Sequence, residues 1–156
     1  MQKITGLDVH KKHINAVVLD PVGNEIEKEK IPNEPRKFDK FLARLPKDTK
    51  IALESCSCWQ YVYDYLEDAG FTDVSLANPY KVRLIAASKQ KTDFKDARAL
   101  AQLLRVNLLP KSYAPPKDIR YQRQISRHRE SIGRLAGIVK NKINAILLRH
   151  GIVHEF

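Results

Sequence analysis

Hydrophobic and polar residues alternate along the first part of the chain in a pattern that predicts three β-strands. Residues 2–9 alternate and end in Leu-Asp-Val, with His10 next, and a run rich in Val and Ile follows over 14–19. Pro21 and Gly23 then mark a turn. Residues 24–31 place Ile between charged side chains, as an edge strand with one wet face does. We therefore expect three consecutive antiparallel strands.

The spacing of apolar residues then changes and predicts alternating helices and strands. Phe and Leu recur three and four positions apart in a helix that begins at Pro35 and is stopped by Pro46. A continuous apolar run over 51–53 that ends at Glu54 predicts a buried strand. The patterns that follow predict a second helix over 58–69 and a further strand over 74–77. Three antiparallel strands followed by strand, helix and strand is the order of the α/β ribonuclease-H-like fold, a mixed five-stranded sheet flanked by helices.

The rest of the chain is predicted to be helical apart from one linker. Helical patterns cover 80–88 and 92–106, and three prolines predict an extended linker over 109–116. A long helix follows from Lys117 to His150. The predicted organisation is a globular domain over 1–108, the linker, and a helical segment over 117–156.

The long helix has an apolar side and a cationic side. Four of its apolar residues repeat at seven and one lies beside them, a coiled-coil seam that predicts a homodimer or larger assembly: Ile125, Ile132, Val139, Ile146 and Leu135. Arginines also repeat every seven residues, on a different side of the helix from the seam. With one further arginine they are candidate nucleic-acid contacts: Arg120, Arg127, Arg134 and Arg123.

Charge is distributed unevenly along the chain. Residues 1–78 hold 11 Lys and Arg against 13 Asp and Glu, whereas 79–156 hold 17 against 5. A basic half of this size indicates a polyanionic partner, usually nucleic acid, although a solvated helix rich in Lys and Arg has the same composition. No stretch is apolar enough to span a membrane, and a cytoplasmic protein is expected. Cys56 and Cys58 are the only cysteines and are interpreted as packing residues.

Asp93 and Asp96 stand three apart where the helix over 92–106 is expected to start, so their carboxylates share one face of its first turn. One explanation is a helix start, with Thr92 or Asp93 as the N-cap residue and acids complementing the helix dipole. The other is a divalent metal, because clustered carboxylates repel unless they share a proton or a cation.

Two further acids change this balance, because Asp8 and Glu54 end strands that the predicted topology makes neighbours. Four carboxylates at one cleft suit two Mg²⁺ ions about 3.5–4 Å apart, with Mn²⁺ as a substitute, acting on a phosphodiester. Lysines at or near the Asp93–Asp96 pair are candidate phosphate contacts: Lys89, Lys91 and Lys95. Each acid alone is better explained as a turn or loop residue, but together they predict a site.

Several motifs of the chain resemble those of the DEDD-type insertion-sequence transposases, which include pilin-gene inverting and bridge-RNA-guided recombinases. The resemblance is carried by Gly-Leu-Asp-Val-His-Lys-Lys over 6–12, Ala-Leu-Glu over 52–54, Ala-Asn-Pro over 77–79 and Lys-Thr-Asp-x-x-Asp-Ala over 91–97. The last of these is the most specific. Near the end of the chain, His-Arg at 128–129, Lys-Ile-Asn at 142–144 and Leu-Arg-His-Gly-Ile at 148–152 also match.

This resemblance implies a RuvC-like domain whose tetrad is Asp8, Glu54, Asp93 and Asp96, working with Mg²⁺ on DNA in a prokaryotic, nucleoid-associated setting. It also implies a guide RNA as partner for some members. The family has Thr or Gly where this chain has Ser55 to Cys58, and members continue into a domain with a nucleophilic serine that has no match here. An amino-terminal domain that lacks the serine domain is therefore expected.

Three alternatives stay open. The first is a non-catalytic module that dimerises and binds nucleic acid, and the second is a RuvC-like structure-selective nuclease. The third, a sugar kinase or actin-like ATPase, shares the sheet, but Val-His-Lys-Lys-His follows Asp8 where those proteins have a glycine-rich phosphate loop.

Overall fold

A computed structural model describes residues 2–85 and 94–154 and divides the chain into two compact units, one ending at Ala114 and one beginning at Pro115. The strands are β1 (Ile4–Val9), β2 (His13–Leu19), β3 (Glu25–Pro32), β4 (Lys50–Glu54) and β5 (Val74–Ala77). The helices are α1 (Pro35–Leu42), α2 (Trp59–Asp68), α3 (Pro79–Ile85), α4 (Lys95–Arg105) and α5 (Lys117–Arg149). No helix within the described ranges is long and apolar enough to cross a membrane.

The strands form one mixed sheet in the order β3-β2-β1-β4-β5. β1, β2 and β3 pair antiparallel, whereas β4 runs parallel to β1, and β5 runs parallel to β4. The predicted fold class, a mixed five-stranded sheet flanked by helices and followed by a long helix, is therefore confirmed. Because β1 is central, its carboxyl end lies between the start of β2 and the carboxyl end of β4.

One face of the sheet carries large apolar side chains. Leu7 and Leu53 of the central strands pack there with Phe38 and Phe41 of α1 and Leu66 of α2. These residues are almost completely buried. Helical spacing in α1 and α2 brings their apolar stripes onto this face, as expected for surface helices of an α/β domain.

The opposite face is covered by α4 and is built from smaller residues. Ala52 of β4 and Ala97, Leu100 and Ala101 of α4 are buried in this second cluster. A Cβ atom added to Gly6 of β1 would lie 1.9 Å from the Ala97 carbonyl oxygen. The helix backbone therefore rests directly on the strand, an approach that only glycine allows.

Two helix predictions are modified by the structure. Phe94 occupies the N-cap position of α4, so the prediction that Thr92 or Asp93 is its N-cap residue is wrong. The helix predicted over 80–88 is described from Pro79 to Ile85, and its remaining predicted residues lie outside the described ranges.

Part of the predicted linker lies along the outer edge of β5. The Ser112 amide donates to the Leu76 carbonyl over 2.7 Å, and the Asn78 amide donates to the Pro110 carbonyl over 2.8 Å. These bonds satisfy backbone groups that an edge strand otherwise leaves exposed.

The second unit contains α5, a helix of 33 residues and therefore about 50 Å long. It begins after Pro116, whose carbonyl accepts a hydrogen bond from the Arg120 amide. Gly151, with a φ of 71°, follows its C-cap residue, as sequences that end helices often do.

Candidate active site

Two carboxylates lie at adjacent strand ends on the α4 face of the sheet. Leu7 of β1 pairs with Leu53 of β4 in parallel register, and Asp8 and Glu54 follow these two residues. Because side chains alternate along a strand, both acids share the face of Gly6 and Ala52. The structure thus brings together two acids that are 46 positions apart in the chain.

The Asp8 carboxylate is held by two neighbours. Its Oδ2 atom lies 2.8 Å from His10 Nε2 and accepts a hydrogen bond from Asn15 Nδ2 over 3.2 Å. The His10 ring lies 4.6 Å from the His13 ring, centroid to centroid. The Asp8 side chain is 13% exposed and is therefore largely shielded from solvent.

Glu54 lies in an environment that disfavours its charged form. Burial raises its pKa above the ordinary value, and the nearby carboxylates of Asp8 and Asp96 raise the pKa further. Arg83 and His10 act in the opposite direction. Glu54 therefore experiences the negative charge of both other acids, one from the sheet and one from α4.

Asp96 owes its position to the close packing of α4. It lies in the first turn of the helix, directly before Ala97, whose carbonyl oxygen packs on Gly6. Its side chain is exposed. Asp93, the fourth predicted acid, lies outside the described residues.

The three described acids fit a divalent cation chemically. Their donors are all carboxylate oxygens, the ligands that Mg²⁺ prefers. Burial and then repulsion by Asp8 and Asp96 raise the pKa of Glu54, and a bound cation would offset that repulsion. In the described ranges, 2–85 and 94–154, no three His, Cys, Asp or Glu side chains are grouped closely enough to hold a metal ion. The tetrad stays a prediction.

The loop after Glu54 brings two thiols together. Cys56 Sγ and Cys58 Sγ are 3.5 Å apart and both thiols are free. Burial raises the pKa of the Cys56 thiol to about 11. Both residues are partly buried and pack against the core of the first face, in agreement with their interpretation as packing residues.

The predicted nucleic-acid contacts fall into different environments. Lys89 and Lys91 lie outside the described residues, and Lys95 is half-buried at the start of α4. Arg123, Arg127 and Arg134 are exposed on α5, where Arg134 Nη2 lies 3.1 Å from Glu130 Oε1.

Arg120 requires a correction, because it is only 4% exposed and its Nη1 atom donates to the Pro115 carbonyl over 2.6 Å. Its guanidinium thus binds backbone at the start of α5 and is not presented on the surface.

The residues of the predicted seam are exposed, although they are apolar. Ile125, Ile132 and Val139 are each 53% exposed, and Leu135 and Ile146 are 59% and 56% exposed. Dimerisation through them stays a prediction. Tyr121, His128 and Ile132 line part of a shallow surface groove along this helix.

Several residues of the site were missed by the sequence analysis. Asn15 had a signal, since it is the polar residue inside the apolar run of β2, and His10 stands two positions after Asp8. Arg83 had none, because only the fold brings α3 near Glu54.

Comparison with solved structures defines the class of the domain. The structure of Thermus thermophilus RuvC matches with a TM-score of 0.50 and 14% sequence identity, covering 71% of this chain and 100% of RuvC. The same protein in complex with a Holliday junction substrate gives a TM-score of 0.45 at 12% identity, covering 72% and 100%. Archaeoglobus fulgidus Pelota gives 0.40 at 16%, covering 89% of this chain and 40% of Pelota. The match to RuvC at a TM-score of 0.50 shows that the fold is RuvC-like, within the ribonuclease-H-like class.

The family model of IS110-type DEDD transposases, described as "Transposase", matches residues 5–152. The chain belongs to this transposase family, and the resemblance drawn from its motifs is confirmed. Transposases act on DNA, so the chain is a member of a family of DNA-acting enzymes. No curated protein matches the chain at a significant level.

Proposed function

We propose that the first unit is the metal-binding domain of a DNA transposase or site-specific recombinase and acts on DNA phosphodiester bonds. Asp8, Glu54, Asp93 and Asp96 are the proposed ligands of Mg²⁺, which Mn²⁺ can replace. The observation that carries this proposal is geometric: the parallel register places Asp8 and Glu54 at adjacent strand ends, and Asp96 lies in the first turn of the helix that packs on Gly6.

Each residue has a defined task in this proposal. Asp8 and Glu54 present oxygens from rigid strand ends, and Asp96 presents one from a helix fixed by its contact with Gly6. When bound, divalent cations activate the attacking oxygen and stabilise the leaving oxygen of a phosphodiester. Arg83, which lowers the pKa of Glu54, is a cation beside these acids and is suited to a backbone phosphate.

Calorimetric titration with Mn²⁺ tests this proposal directly. We expect the wild type to bind and Asp8→Asn, Glu54→Gln and Asp96→Asn to lose most of the affinity. Asp48→Asn is the matched control, since Asp48 is exposed just before the opposite end of β4 and the charge change is the same. Equal affinity in wild type and Asp8→Asn would exclude the site.

Strand cleavage is a second measurement. The family resemblance assigns a covalent step to a serine in another domain, so nicking of supercoiled DNA by this chain is a weaker test than metal binding. If metal-dependent nicking is observed, Asp93→Ala must abolish it, and nicking that survives this change would contradict the tetrad.

A second function is favoured by the exposed residues of α5, which carries apolar and cationic side chains together. We propose that its apolar seam forms a homodimer and that Arg123 and Arg127 bind nucleic acid, either DNA or a guide RNA. Light scattering should detect a dimer that Ile132→Asp converts to a monomer. A dimer that survives this change would contradict the proposed interface.

Binding by the arginines is tested with duplex DNA and single-stranded RNA of equal length at several salt concentrations. Arg123→Gln and Arg127→Gln should each reduce the slope of log affinity against log salt by about one. Arg120→Gln is the control, because its guanidinium is buried and should not contribute to that slope. Unchanged slopes in the first two variants would exclude α5 as the contact surface.

A further inference from the structure

The strand β2 buries an amide side chain where its other inward residues are apolar. Asn15 is 2% exposed, and Ile14, Ala16 and Val17 beside it are fully buried. Asn is also a poor strand former. A buried amide costs free energy unless its hydrogen bonds are satisfied, and an apolar residue at this position would avoid the cost of the amide oxygen. Fold stability alone therefore does not explain this residue.

Asn15 lies directly opposite Asp8 in the antiparallel register of β1 and β2. Its Nδ2 atom donates to Asp8 Oδ2 over 3.2 Å, and His10 Nε2 lies 2.8 Å from the same oxygen. Two contacts on one oxygen fix the rotation of the carboxylate about its bond to Cβ. Asp8 Oδ1 takes no part in either contact.

The other polar atom of Asn15 is buried and unsatisfied. Its Oδ1 atom has no hydrogen-bond partner among the residues that the structure describes. A buried carbonyl oxygen without a partner is uncommon in native proteins, and this one can accept a hydrogen bond from a ligand or water. Amide oxygens are good partners for the water molecules of a hydrated divalent cation.

We infer that Asn15 is a positioning residue of the proposed metal site. It orients Asp8 through Nδ2 and accepts a hydrogen bond through Oδ1 from a water of the hydrated cation. The inference rests on the proposed function, since it assigns Asn15 a role in a site that Asp8 defines. Residues that orient metal ligands typically change metal affinity by about 10–100-fold when they are replaced.

The test is Mn²⁺ calorimetry on the whole 156-residue chain with thermal unfolding of the same samples. Asn15→Leu should still unfold cooperatively, which shows that it is folded, and should bind Mn²⁺ about tenfold more weakly than the wild type does. Thr5→Val is the matched control, because Thr5 is fully buried in β1 with an unsatisfied hydroxyl but points to the other face. A purely structural role for Asn15 predicts that stability falls and that affinity does not change.

Asn15→Ser replaces Asn15→Leu if the larger side chain prevents folding, because the shorter serine fits and cannot span the distance to Asp8. Wild-type affinity in either folded variant overturns the inference. If Asp8→Asn abolishes binding and the Asn15 variants do not, only this inference fails. If Asp8→Asn binds as the wild type does, the proposed function fails and this inference falls with it.

Discussion

The two faces of the sheet are built on different principles. The face under α1 and α2 is filled by large side chains such as Phe41 and Leu66, which keep the helices at a distance set by side-chain volume. The face under α4 is built around Gly6, Ala52 and Ala97, where backbone packs on backbone. All three described acids of the site lie on or beside this second face.

This difference indicates that one face of the sheet mainly stabilises the domain and the other mainly positions the acids of the site. Large apolar residues contribute most of the free energy of folding, since each buried side chain contributes roughly 1.5–3 kcal/mol. Small residues contribute less but allow a close approach, which brings Asp96 of the helix near Glu54 of the sheet. A change on the first face should therefore act on stability, and a change on the second should act on the site.

The largest effect on stability is expected on the first face. Phe41→Ala removes a ring that is 1% exposed and should lower the free energy of unfolding by about 3–5 kcal/mol. Chemical denaturation measures this loss. The folded fraction at low temperature should bind Mn²⁺ with wild-type affinity, and reduced affinity of that fraction would show that the two faces are coupled.

Gly6→Ala should have the opposite balance of effects, a smaller loss of stability and a large loss of metal binding. The added Cβ atom would lie 1.9 Å from the Ala97 carbonyl oxygen, so α4 must shift. We expect a loss of about 1–3 kcal/mol and loss of Mn²⁺ binding, measured by denaturation and calorimetry.

Gly137→Ala is the control for this change, because the same methyl group added to α5 meets no atom within 4 Å. It should stabilise that helix by about 0.5–1 kcal/mol. Normal Mn²⁺ binding by Gly6→Ala would mean that the position of α4 does not set the site.

Glu54→Gln should remove metal binding. It should also raise the free energy of unfolding, by no more than about 1 kcal/mol at neutral pH. The pKa of Glu54 is raised in the folded state, so the folded chain binds more protons than the unfolded chain does. Stability must then fall as the pH rises through that folded-state pKa, and the substitution removes this contribution. Thermal unfolding with a metal chelator at several pH values measures it, and a lower midpoint for the variant at neutral pH would contradict the repulsion.

The smallest effect is expected at the surface of the first face. Tyr65 donates a hydrogen bond to Asp39 Oδ1 over 2.6 Å, which joins α2 to α1 and helps to raise the pKa of Tyr65 to about 12. Tyr65→Phe should cost roughly 0.5 kcal/mol, because the pair is exposed to solvent. Thermal unfolding at pH 7 measures this loss, and Mn²⁺ affinity should not change. A loss above about 2 kcal/mol would show that this contact is part of the core.

The sequence was sufficient for the topology because each strand carries its own pattern. Alternation in β3, the apolar run of β4 and the prolines and glycines between elements determine which residues pair. The placement of Asp8 and Glu54 at neighbouring strand ends followed from that order, and the structure confirms that order.

Features that depend on contacts distant in the chain were not predictable in this way. In the sequence Gly6 is an ordinary strand glycine, and only the fold shows that Ala97 packs on it. Arg120 belongs to the same seven-residue repeat as the exposed Arg127 and Arg134, although it is buried. The start of α4 was misplaced because Thr and Asp are good N-cap residues, whereas the structure has Phe94 at that position.

The contact between Gly6 and Ala97 also affects when the site is completed during protein synthesis. These residues are 91 positions apart, so their contact closes a loop that contains almost the whole sheet. Ribosomes add about 5–20 residues per second. Asp8 and Glu54 therefore leave the ribosome seconds before α4 does, and the nascent chain lacks the Asp96 carboxylate during that interval.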